Sequence, residues 1–282
     1  MTKRGIDISS HQGDINLAAL RHDIDFVIIR VGFGTKGTID NKFIRNADLC
    51  KELGIPVGFY WYSYALDELG ALNEAEAFLK AIAPYNPEYG CWFDMEDADG
   101  YKKKKGMPSD EVLQDMCYSF CKVVEEAGYY AGIYASESWF KKKLSNPKLN
   151  RFDKWVAQWP TSKGKQKGLA VDATSRTGLS MWQFTSEGKF EGYPGRLDTN
   201  YAYKEFNVPE KKTETKVEPT TPVIRKRSRV VFTGTKTYSG LKLADWVTGA
   251  TFDVIEVSGD RVVIGKGTAV TAAVNAKDCK LI

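Results

Sequence analysis

Three acids crowd the end of one apolar run, Tyr89-Gly-Cys-Trp-Phe-Asp-Met-Glu-Asp97: Asp94, Glu96 and Asp97. A β-strand presents successive residues to opposite faces, so Asp94 and Glu96 point the same way, their backbone positions about 6.6 Å apart. Met95 points to the other side. Two carboxyls that close push their proton affinities apart, one keeping its proton while the other ionises. That division suits glycoside hydrolysis, with a general acid beside an electrostatic stabiliser. The same residues also fit a strand end whose acids cap the next helix or meet water, and the motif alone does not choose.

The elements around this motif alternate. Gly5-Ile-Asp-Ile-Ser9 reads as a short strand carrying Asp7, followed by the loop Ser9-Ser-His-Gln-Gly13. Asp25 to Val31 is a continuous apolar strand of the kind buried on both faces of a parallel sheet, with Arg30 its polar exception. Helical periodicity runs from Asp40 to Leu53, closed by Gly54. Ile55 to Tyr64 is a strand crowded with aromatics; its alternation sends about half of Tyr60, Trp61, Tyr62 and Tyr64 inward. Helices are expected over Glu68–Ile82, Asp110–Ala127 with Ser109 as N-cap, and Glu137–Leu144. Tyr129–Ala135, Lys154–Trp159 and Ser180–Thr185 read as further strands, and Gly195–Asn200 as a loop after the last of them. Strands alternating with helices predict an α/β fold, an irregular parallel (β/α) barrel, whose chemistry gathers at the carboxyl ends of its strands. Asp94, Glu96 and Arg30 lie near such ends.

Composition then shifts. Residues 209–224 are rich in proline, threonine and mixed charge, and read as an extended, solvated linker. Beyond it, short strands at Arg229–Phe232, Lys236–Tyr238, Phe252–Val257, Arg261–Ile264 and Ala273–Asn275, with a tight turn at Ser258-Gly-Asp260, predict a small all-β barrel domain. The domains are therefore 1–208, a linker at 209–224, and 225–282. The tail shows no acid pair or nucleophile and reads as a binding module. A net charge of +4, set by 40 basic against 36 acidic residues, does not predict nucleic-acid binding. No apolar stretch approaches a membrane span, and the first residues lack a secretory core, so neither membrane insertion nor ordinary export is expected. Five cysteines are an odd number without metal-site spacing; Cys117 and Cys121 read as core residues on one helix face, and the thiols as reduced.

The ordered set Gly5-Ile-Asp-Ile-Ser-Ser-His-Gln-Gly13, Gly58-Phe-Tyr-Trp-Tyr62, Trp92-Phe-Asp-Met-Glu-Asp97, Gly132-Ile-Tyr134, Trp155-Val-Ala-Gln-Trp159 and Met181-Trp-Gln-Phe184 resembles the glycoside hydrolase family 25 lysozymes, muramidases often found as phage endolysins. The resemblance covers roughly residues 4–207. It implies an irregular barrel that cleaves the β-1,4 bond between N-acetylmuramic acid and N-acetylglucosamine in bacterial peptidoglycan, with no metal or organic cofactor. It assigns Glu96 as proton donor and Asp94 as the acid that steadies charge or orients the acetamido group. Asp7 and Asp198 complete an acidic floor, while Tyr60, Tyr62, Tyr134, Trp159 and Gln183 line the sugar groove. The tail from about Arg229 resembles a bacterial Src-homology-3-type cell-wall-binding domain, which implies a wall-polymer partner. An endolysin without an export signal waits in the host cytoplasm before reaching the wall.

Several residues carry plainer readings. His11 lies in a loop without a matching nucleophile and reads as structural or groove-edge. Arg30 is expected to contact the site's acids, a backbone carbonyl or substrate. Lys102–Lys105 is most simply a solvated loop, with guidance onto anionic polymer as the alternative. Asp172 also lies late in the chain, but only Asp198 has the Leu-Asp-x-Asn context. Four carboxyls sharing a pocket should keep the least solvated one protonated, a role assigned to Glu96. Two rival functions stand beside the muramidase: a wall-binding protein without catalysis, and a glycosidase acting on another acetamido-sugar polymer.

Overall fold

The computed structural model describes residues 2–159, 176, 178–206, 224–267 and 269–282. The expected linker, apart from residue 224, lies outside the described residues, and so does Asp172. The chain divides into two compact units, residues 1–213 and 214–282.

In the first unit the strands are β1 (Lys3–Ile8), β2 (Phe26–Phe33), β3 (Thr38–Ile39), β4 (Val57–Tyr62), β5 (Cys91–Asp94), β6 (Ala131–Ser136), β7 (Asp153–Ala157), β8 (Met181–Phe190) and β9 (Tyr193–Ala202). Helices α1 (Leu17–Leu20), α2 (Phe43–Leu53), α3 (Glu68–Ile82), α4 (Tyr101–Lys104), α5 (Asp110–Glu126) and α6 (Glu137–Lys142) alternate with them. Local chemistry sets their ends: Asp67 accepts the Gly70 amide to start α3, Ser109 accepts that of Val112 to start α5, and Gly54 takes a left-handed φ of 65° to stop α2.

Eight of these strands close a ring. The ladders β1–β2, β2–β4, β4–β5, β5–β6, β6–β7 and β7–β8 are parallel, but β9 runs antiparallel to both β8 and β1. The barrel is therefore mixed where a parallel one was expected, and Gly195–Asn200 is strand where a loop was expected. The cause is local. A turn at Glu191-Gly192, with Gly192 at φ 87°, joins β8 to β9, and so short a connection only permits a hairpin.

Packing follows the strand alternation. Outward residues such as Val27, Ile29, Phe59, Trp61, Phe93 and Ile133 join Phe43, Phe78, Phe120 and Val124 of the helices in one apolar shell. Phe93 stacks on Phe120 with ring centroids 4.1 Å apart. Cys117 and Cys121 are buried in this shell as free thiols. Inside the ring, Phe26, Ile28, Trp92, Trp155, Met181, Ala202 and Phe206 form a second, separate apolar cluster. A side chain at Gly5 or Gly132 would overlap the rings of Phe26 and Trp92, so those positions leave the space the rings fill.

The second unit is an antiparallel sheet of β10 (Arg229–Phe232), β11 (Thr251–Ser258), β12 (Arg261–Lys266), β13 (Ala269–Asn275) and β14 (Cys279–Leu281), in the order β13-β12-β11-β10-β14. Gly259, at φ 61°, makes the expected tight turn before β12. The expected strand at Lys236–Tyr238 is reduced to a single bridge between Lys236 and Lys242. A barrel was expected, yet no ladder joins β13 to β14 among the described residues; the one-turn segment Ala276–Asp278 carries the chain from one edge to the other. Val230, Phe232, Phe252, Val254, Val262, Ile264 and Val274 are its core.

Candidate active site

One step beyond the inner apolar cluster, the inward positions turn polar. Register aligns Asp7 of β1 with Asp198 of β9, and places Asp94 of β5 between Tyr62 of β4 and Tyr134 of β6. The alternation continues past the end of β5: the Met95 amide donates to the Tyr134 carbonyl at 2.9 Å and its side chain is buried in the outer shell, which returns Glu96 to the inner side. Asp7, Arg30, Tyr60, Tyr62, Asp94, Glu96, Tyr134, Trp159, Gln183 and Asp198 all line one groove of about 830 Å³, together with His11, Ala98, Ser136, Trp155, Ala157 and Ser186. The structure thus brings the ten residues named for the catalytic floor and the groove to one place. Trp159 stands at its rim, 38% exposed, with a ring face available to a sugar.

A hydrogen-bonded ring holds Asp7. Asn200 Nδ2 and Gln183 Nε2 both donate to Asp7 Oδ2, at 2.8 and 3.0 Å. The Asn200 carbonyl in turn accepts Trp155 Nε1 at 2.8 Å, and that of Gln183 accepts Tyr134 Oη at 3.0 Å. Asn200 and Trp155 escaped the sequence reading; the Leu-Asp-x-Asn context that marks Asp198 contains Asn200 and was the available signal. Burial raises Asp7 to about 6, with the two amide donors pulling the other way. Asp198 is pushed up to about 8 by burial and by the charges of Asp7 and Glu96, so it keeps its proton at neutral pH.

Asp94 closes β5 beside Glu96. It is the more deeply buried member of the strand-end pair, 4% exposed, and burial followed by the Glu96 charge raises its pKa well above the carboxylate range. Glu96 is also raised, chiefly by burial, but the hydrogen bond from Asp94 lowers it. Burial thus raises the proton affinity of both carboxyls of the pair. Asp94 Oδ1 is buried without a partner.

Arg30 does not reach the acids. Its Nε donates to Asp40 Oδ2 at 2.8 Å, a second nitrogen lies 2.7 Å from that oxygen, and Nη2 donates to Ser10 Oγ at 3.0 Å. Asp40 also accepts the Ser10 and Lys42 amides. This bidentate pair braces the loop that carries His11, whose Nε2 lies 3.5 Å from Arg30 Nη1. Beyond His11 and Arg30 the groove continues into a side arm of about 590 Å³ lined by Phe33, Tyr62, Tyr64 and Asp99. Tyr64 Oη donates to Asp99 at 2.6 Å.

Asp97 follows the plainer reading of the strand-end acids: its carboxylate accepts the amides of Lys102 and Lys103 at 2.7 and 3.0 Å, in the first turn of α4. Lys102 was expected in a solvated loop and is instead 1% exposed, since the helix turn that Asp97 starts rotates it inward.

Known proteins match this architecture. The family model of Glycosyl hydrolases family 25 matches residues 6–193. The autolytic lysozyme of Clostridium acetobutylicum is 26% identical over 196 residues, which is 69% of this chain and 54% of that protein; the chain spans about half the length of this curated relative. The modular autolysin LytC from Streptococcus pneumoniae, solved with a synthetic peptidoglycan ligand, is similar at TM-score 0.60 and 28% identity over 72% of this chain and 47% of its own. The catalytic domain of an endolysin from a Listeria monocytogenes bacteriophage is similar at TM-score 0.55 and 25% identity, over 72% of this chain and 93% of its own. With a matching model across most of the barrel, the chain belongs to glycosyl hydrolases family 25.

Proposed function

We propose that the chain is a peptidoglycan hydrolase, an N-acetylmuramidase that cleaves the β-1,4 bond between N-acetylmuramic acid and N-acetylglucosamine. The observation that carries this reading is the Asp94–Glu96 carboxyl pair in one groove with Tyr60, Tyr62, Tyr134 and Trp159. The unpartnered Asp94 Oδ1 suits a donor such as the acetamido N–H of a bound sugar. Accepting that N–H favours ionised Asp94 and leaves the pair's proton on Glu96. Glu96 then protonates the glycosidic oxygen as the bond to the anomeric carbon breaks and the acetamido oxygen attacks that carbon. Water opens the resulting oxazolinium ring and returns a proton to Glu96. Ionised Asp7 stabilises the positive charge that develops. Asp198, protonated at neutral pH, serves as a hydrogen-bond donor where the sequence reading made it an anion.

In this reading 1–208 is the catalytic domain, 209–224 a linker, and 225–282 a Src-homology-3-like module that binds wall polymer. Its support is the solvent-facing Trp246 and Tyr238, 63% and 44% exposed on a domain without an acid pair. The narrower assignment, a phage endolysin held in the host cytoplasm until a membrane pore opens, draws on the similarity to the phage enzyme; the autolysins favour a bacterial autolysin as the alternative.

The test is digestion of purified peptidoglycan followed by mass analysis. A muramidase releases fragments ending in reducing N-acetylmuramic acid, and Glu96→Gln releases none. Fragments ending in reducing N-acetylglucosamine, or new amino groups without new reducing ends, contradict the proposal. Equal cleavage of chitin oligomers would favour the broader acetamido-sugar glycosidase.

A further inference from the structure

Behind the acid pair lies a buried cation that the reaction above does not use. Lys102 Nζ donates to two backbone carbonyls, that of Ser63 just past β4 and that of Glu96 at 3.0 Å. The groups facing it are Glu74 from α3, Asp94 from β5, Asp97 from the turn before α4, Cys117 from α5, and Glu96 itself. Glu74 is fully buried; it accepts the Tyr64 amide at 2.8 Å, and its Oε2 has no hydrogen-bond partner. An ammonium removed from water is costly, and a methionine would fill the same space. The position thus calls for its charge and its donors.

We propose that Lys102 is a positioning residue for the acid pair: it ties the Glu96 carbonyl to that of Ser63, fixing where the Glu96 side chain begins, and sets a permanent positive charge behind Asp94 that governs how tightly the two carboxyls hold their shared proton. Glu74 is the counter-charge that lets the cation stay buried. Burial lowers the Lys102 pKa while Glu74, Asp94 and Asp97 oppose the loss of its proton, and the Lys102 charge lowers both Asp94 and Glu96. Burial raises Glu74 to about 7, against the pull of Lys102. The kinetic side of the proposal rests on the muramidase reading; the titration side does not.

Lys102→Met alone strands Glu74 beside no cation and endangers folding. The informative comparison is Lys102→Met/Glu74→Gln against Glu74→Gln, each followed by carboxylate-carbon NMR titration. Removing the cation should raise the Asp94 and Glu96 midpoints by about one pH unit. On peptidoglycan, both limbs of the pH–rate profile move up likewise and kcat falls about tenfold with KM little changed. Lys102→Arg, which keeps the charge, restores the lower midpoints. Titrations and pH profiles that coincide in the two variants would reduce Lys102 to a structural residue and overturn the proposal. A wild-type enzyme that releases no glycan would sink the muramidase reading instead, while the titrations still decide the role of Lys102.

Discussion

The two ends of the barrel's interior use the same strands and the same inward face for opposite purposes. Toward the amino ends of the strands, Phe26, Trp92, Met181 and Ala202 pack without polar groups. Two residues along the same strands stand Asp94 after Trp92, Gln183 after Met181, and Asn200 before Ala202 on antiparallel β9. Trp155 joins the layers: its ring meets Tyr60 and Tyr134 edge-on, and its Nε1 donates to Asn200. The comparison teaches that the apolar layer is part of the chemistry. By denying water to the floor of the groove, it raises the proton affinities of Asp94, Glu96 and Asp198.

Four substitutions test the contrast. The largest effect is expected at the polar end: Glu96→Gln should lower kcat about 10³-fold or more while the thermal midpoint stays near wild type. At the apolar end Trp92→Ala should do the reverse first, costing about 3–5 kcal/mol of stability in a denaturant titration. If Trp92→Ala left stability unchanged, the division of labour between the layers would fail. Asp198→Asn should stabilise the enzyme above neutrality. The folded state holds that proton up to about 8 whereas the unfolded chain releases it near the ordinary value of 3.8, so its contribution is full at low pH and is lost as pH rises through about 8. A gain of several kcal/mol at pH 8 that vanishes near pH 4 is the expected signature, read from thermal midpoints across that range. The smallest effect belongs to the rim: Trp159→Ala should raise KM for glycan about tenfold with kcat nearly unchanged.

Much of this was legible in the chain because it rests on short-range rules. The two-residue spacing of Asp94 and Glu96 put both on the groove side, and the alternation of Tyr60, Trp61 and Tyr62 sent Trp61 outward against Phe78. What escaped depends on partners distant in sequence. β9 is masked by Pro194, Gly195 and Arg196, which weaken its strand pattern, and it forms because β1 and β8 both offer it a free edge. Lys102 hides in a run of four lysines, and its burial and its bonds to the Ser63 and Glu96 carbonyls, which the sequence does not show, are what distinguish it.

The antiparallel closure by β9 also dictates when the enzyme can first act. Asp7 is made before Asp198 and must wait, with β1 lacking one neighbour, until the strand bearing Asp198 has been made. A polypeptide interrupted anywhere before that point has neither the Asp198 carboxyl nor the Asn200 amide that donates to Asp7.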